Sequence, residues 1–147
     1  MNPTKQTLEA FAKLTEGKQH ELWTKAAKRV KLVEIVPISD PRLEPLKPIL
    51  KRIKAKEHEC YLNALACVLQ QKDIEYVEGY IEVNGVPIDH AWNCWNGLYF
   101  DLTEEKLGTP TSFPHRQVMK LPGTEAFVFA MSSSRTGPYL FEWLDRN

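Results

Sequence analysis

No apolar run in the 147 residues exceeds six; the longest are Ala64–Leu69 and Ala126–Met131. A membrane helix needs roughly 20 such residues, so the sequence predicts no span. The segment after Met1 has no apolar stretch leading to a small-residue cleavage site, and the expected setting is therefore cytoplasmic. Cysteine is scarce and odd in number: three, none in a Cys-x-x-Cys pair, which excludes a disulfide framework and a zinc ribbon. There is no Gly-rich phosphate loop or dinucleotide fingerprint. Ser132-Ser133-Ser134 is not a Gly-x-Ser-x-Gly elbow, which leaves a serine hydrolase without support. No repeat, Gly/Ser linker or low-complexity segment divides the chain, so a single domain over 1–147 is expected.

Charge is balanced overall and lopsided locally. Residues 1–58 carry thirteen basic and seven acidic side chains, and 59–147 carry six and twelve. Lys47, Lys51, Arg52, Lys54 and Lys56 supply much of the basic excess. They lack interleaved aromatics and match no nucleic-acid motif, so they read as a solvated face and nucleic acid is not an expected partner.

Helical patterning dominates the first part. Leu8, Phe11, Ala12 and Leu14 form one stripe, stopped by Gly17, and a second helix is expected over about 19–31. Pro37, Pro41, Pro45 and Pro48 then predict extended chain and short turns. Residues 59–72 contain no Gly or Pro and place Leu62, Leu65, Ala66 and Leu69 at helical spacing. Asn84-Gly85 and Asn96-Gly97 each lie between strand-like runs, and Asn-Gly favours the type I′ turn, whose central residues both need φ > 0. A three-stranded meander over 75–83, 86–95 and 98–103 follows. A loop with Pro110 and Pro114, a strand Ala126–Met131 and a C-terminal helix or strand 139–144 complete an α+β reading.

Counting outward from two-residue turns sets the register. Cys94 faces Tyr99, Trp92 faces Asp101, His90 faces Thr103, and Gly79 faces His90 with free space opposite it. Directly opposed residues share a sheet face, so Asp101 is the diagonal neighbour of His90, while Asp89 points away. An imidazole beside a carboxylate is a base held in one tautomer. Cys60 opens the preceding helix, where free N–H groups and the helix dipole favour a thiolate. A thiolate, an imidazole and an orienting carboxylate are the minimum equipment for cysteine-dependent acyl transfer.

The pieces Glu59-Cys60-Tyr61-Leu62-Asn63-Ala64, Asp89-His90-Ala91-Trp92-Asn93 and Leu98-Tyr99-Phe100-Asp101-Leu102-Thr103 carry a resemblance, over about 59–103. Cys opening a helix, His-Ala-Trp on a strand and Asp closing an aromatic strand resemble the transglutaminase-like branch of the papain-like superfamily. The resemblance implies a papain/transglutaminase-like fold, with N-terminal helices and a Cys-bearing helix on the meander. It also implies Cys60 as nucleophile, His90 as general base and acid, and Asp101 as the orienting carboxylate. His58, Asn63 and the Cys60 backbone N–H are candidate oxyanion donors.

The expected activity is acyl transfer or amide hydrolysis through a thioester, on a protein, peptide or small amide, with no cofactor. A non-catalytic binding or inhibitor protein on the same scaffold is the alternative. Cys60, His90, Cys94 and Asp101 do not read as a zinc site: His90 and Cys94 are four residues apart on a strand, about 13 Å, too far for one ion. No metal is expected. His20, His58 and His115 have no partner that spacing can place and read as structural or surface residues.

Overall fold

A computed structural model describes residues 2–108 and 113–147. Helix α1 (Pro3–Lys13) starts where Asn2 accepts a hydrogen bond from the Lys5 N–H, with Pro3 in its first turn, and it buries Leu8 and Ala12. Helix α2 (Gly17–Arg29) buries Leu22, Ala26 and Ala27. It ends two residues before the expected limit, because Lys31–Val33 is strand β1. Among the prolines the chain forms a 3-10 turn, Pro41–Leu46, and a short helix α3, Lys47–Arg52. Leu43 and Leu46 are fully buried there and pin this segment to the core.

Helix α4 (Cys60–Gln70) forms where its periodicity predicts and buries Leu65 of the expected stripe, but the rest of its buried side is Asn63, Ala64, Cys67 and Val68, while Leu62 and Leu69 stand exposed. Small residues on the sheet side let the helix lie close. The Asn93 Nδ2 donates to Ala64 O at 2.9 Å.

The sheet is antiparallel, in the order β1-β5-β2-β3-β4. Strands β2 (Glu75–Val83) and β3 (Val86–Trp95) have the expected limits, and Gly79 faces His90 as counted. Both turns place Asn and Gly at positive φ: 52° and 79° at Asn84-Gly85, 51° and 79° at Asn96-Gly97. Gly97→Val forces a β-branched residue into that region and is expected to lower stability by about 1–3 kcal/mol, read as a lower thermal midpoint.

Several expectations fail. Strand β4 is Leu98–Phe100, not 98–103; Asp101 leaves the sheet to cap helix α5 (Leu102–Leu107). Thr103 therefore does not face His90; it accepts a 2.8 Å hydrogen bond from Asn63 Nδ2. His115–Leu121 forms strand β5, against both β1 and β2. Ala126–Met131 is part of helix α6 (Gly123–Ser133), not a strand. The space opposite His90 is not free: a Cβ on Gly79 would lie 2.0 Å from Arg116 O, at a bulge where β5 crosses close to β2.

Pro110 lies outside the described residues. The C-terminal segment is helix α7 (Leu140–Arg146). The carboxylate of Glu78 on β2 accepts hydrogen bonds from Tyr139 N (2.7 Å) and Leu140 N (3.1 Å) at its start. Among the described residues no helix is long and apolar enough to cross a membrane. The protein is a mixed helix-and-sheet, α+β chain.

Candidate active site

Cys60 is the first residue of α4, so its N–H is one of the four that have no acceptor within the helix. The turn before it is held from below. Asn63 Oδ1 accepts from Lys56 N (3.0 Å), and its Nδ2 donates to Lys56 O (2.8 Å) and to Thr103 Oγ1. That clamp ties the approach to Cys60 to the start of α5, where Asp101 sits. It also consumes the Asn63 side chain, which is thereby removed as an oxyanion donor. His58, two residues earlier, is exposed and takes a positive φ of 62°.

His90 projects from the middle of β3 and is buried beside Trp92. Its Nε2 lies 2.7 Å from Asp101 Oδ2. The thiol of Cys60 lies near enough to the ring to raise its proton affinity. With Nε2 engaged by Asp101, Nδ1 is the nitrogen left for the sulfur. The expected trio thus converges, by a route different from the one counted. Asp101 reaches His90 as the N-cap of α5, its Oδ1 accepting from Glu104 N at 3.0 Å, rather than as a strand residue opposite Trp92.

Burial works to lower the His90 pKa, but hydrogen bonds and charge from Asp101 and Cys60 outweigh it and raise the ring to about 10. Burial likewise opposes ionisation of Asp101, yet bonds from His115 and His90 hold it well below the usual carboxylate range. The pair contributes stability above the ordinary Asp value of 3.8, and that contribution is lost in acid as Asp101 protonates. The His90 share is complete below its ordinary value of 6.5 and disappears as pH rises through about 10. At neutral pH the site therefore holds an imidazolium braced by a carboxylate, facing a sulfur.

The other cysteines are differently placed. Burial pushes Cys67 up to about 12 and raises Cys94, which packs with Val77 and Trp92. Asp89 points away from His90, as expected. It lines a cavity of about 260 Å³ with Tyr61, Glu78, Tyr80 and Arg135.

Sequence reasoning missed His115. Read as structural or surface, it is buried on β5 with Nε2 2.8 Å from Asp101 Oδ2 and 3.3 Å from Glu104 Oε2. The signal for Glu104 was present, since Asp101-x-x-Glu104 has the spacing of a helix-capping pair. His90, Asp101 and His115 are also the set able to approach a metal ion among the described residues, their ligand atoms lying within 4.8 Å of one another. Cys94 does not belong to that set. No family model, curated protein or solved structure matches the chain.

Proposed function

We propose that the protein is a cysteine-dependent acyl-transfer or amide-hydrolysing enzyme of the transglutaminase-like, papain-like kind. The observation that carries this reading is His90, engaged on one ring nitrogen by Asp101, with Cys60 at a helix N-terminus close enough to act on its proton. In the proposed reaction the Cys60 thiolate attacks an amide carbonyl, and the tetrahedral oxyanion faces the free N–H groups of α4. His90 then gives its proton to the departing amine, leaving a thioester on Cys60. Water or a second amine, deprotonated by His90, attacks the thioester and releases the acyl product with the thiol restored.

A non-catalytic binding role on the same scaffold is favoured by one observation, the full engagement of Asn63, which leaves the oxyanion without that side-chain donor. Acyl trapping separates the two. Incubation with an activated ester such as p-nitrophenyl acetate, followed by intact-mass and peptide mapping, should show an acyl group on Cys60 that hydroxylamine removes. His90→Ala should cut its formation at least about a hundredfold. Acylation at no cysteine, or equally at all three, would support the binding reading.

A further inference from the structure

Asp101 is 1% exposed, and a carboxylate so buried keeps its charge only if donors surround it. Oδ1 is taken by the Glu104 N–H at the α5 cap. Oδ2 is shared by two imidazoles, His90 from β3 at 2.7 Å and His115 from β5 at 2.8 Å. The two rings lie edge to face with centroids 5.8 Å apart.

His115 is itself fixed on every side. Its side chain has no solvent exposure, and Nδ1 lies 2.7 Å from the Phe113 carbonyl oxygen. The Trp92 ring packs at right angles to it, 4.8 Å away. Both ring nitrogens face oxygen acceptors, so both contacts are hydrogen bonds only when each nitrogen carries a proton. Glu104 Oε2, buried and with no hydrogen-bond partner of its own, lies 3.3 Å from Nε2 and places a second carboxylate against the ring.

We infer that His115, backed by Glu104, is a positioning residue for the Cys60–His90 pair, acting through Asp101; this rests on the acyl-transfer reading above. His115 pins the Asp101 oxygen that grips His90, so the carboxylate stays charged and held against the ring that neighbours the Cys60 sulfur. The separations favour protons over a bound metal. Ligands held at about 2.0 Å in a tetrahedral site stand roughly 3.3 Å from one another, whereas both oxygen–nitrogen edges here have hydrogen-bond length. The groups facing Asp101 are His90 from β3, His115 from β5, Glu104 from α5 and Cys67 from α4, with Cys60 beyond His90.

The test is the rate of Cys60 alkylation by iodoacetamide across pH 5–10, with circular dichroism as folding control, in wild type, His115→Leu, His115→Gln and Glu104→Gln. His115→Leu removes a competing donor from Asp101, so the carboxylate draws harder on the His90 proton and His90 holds it more tightly. The upper limb of the profile should rise by about one pH unit, a tenfold change in that proton equilibrium. His115→Gln returns an N–H at the Nε2 position and should bring the profile most of the way back. Glu104→Gln removes a negative charge beside the rings and should move the limb in the opposite direction to His115→Leu, and it carries the test should the leucine variant fail to fold. A folded His115→Leu or Glu104→Gln variant whose profile superimposes on wild type overturns the inference. So does loss of the wild-type profile in EDTA with recovery on added Zn²⁺, which would make the cluster a metal site. If wild-type Cys60 shows no enhanced reactivity at neutral pH, the acyl-transfer reading itself fails, a result distinct from either of these.

Discussion

Asp101→Asn is expected to slow acylation of Cys60 by about a thousandfold or more while leaving the fold in place. An asparagine can keep its side-chain oxygen on the Glu104 N–H, so the α5 cap survives. Its amide N–H₂ then occupies the Oδ2 position and faces the Nε2 of His90, where a donor meets a donor. The ring resolves the conflict by moving its proton to Nδ1, toward the sulfur, and can no longer take the thiol proton there. The amide also brings no charge to stabilise an imidazolium. Asp89→Asn is the control. Asp89 precedes His90 but faces the cavity lined by Tyr61 and Tyr80, and its removal should change the acylation rate by less than about threefold. Loss of reactivity in Asp89→Asn with retention in Asp101→Asn would contradict the site described here.

Gly79→Ala is expected to be the most damaging single methyl in the sheet. The added Cβ would meet Arg116 O at 2.0 Å and Arg116 C and Gln117 Cα at 3.0 Å, all backbone atoms of β5. Backbone cannot swing aside as a flexible side chain can, so the strands must separate at the bulge. A loss of roughly 3 kcal/mol or more is expected, the upper end for overpacking. For a chain of this size that lowers the thermal midpoint by about 10 °C. Since β5 carries His115, Asp101 should lose its second imidazole as well. An unchanged melting curve would mean that β5 does not cross β2 where the structure has it.

What the sequence revealed, and what it hid, follows from how local each signal is. Asn84-Gly85 and Asn96-Gly97 specify their turns by backbone preference alone, and the period of two then places Gly79 opposite His90 without further information. The end of β4 is harder. Tyr99-Phe100 continues naturally into Leu102-Thr103 by strand preference, and the competing helix cap at Asp101 prevails because Glu104 and Glu105 stand in the first turn of α5. Ala126–Met131 is an apolar run too short for its period to separate helix from strand; packing of α6 against α4 and the sheet decides it. Strand β5 hides because Arg116, Gln117 and Lys120 interrupt its apolar residues. Its burial comes from a place between β1 and β2 that no local pattern encodes. His115 was missed for that reason: a histidine's partners depend on which strands its own strand joins.

The central claim is that Cys60 and His90 form a reactive pair. The most direct measurement is peptide mapping of all three cysteines after brief iodoacetamide treatment at about pH 6–7, in wild type and in His90→Ala. In the wild type, Cys60 should label at least about tenfold faster than Cys67 and Cys94, which are fully buried, and His90→Ala should remove most of that rate. Labelling of Cys60 only after denaturation, or at the same rate with and without His90, would contradict the account.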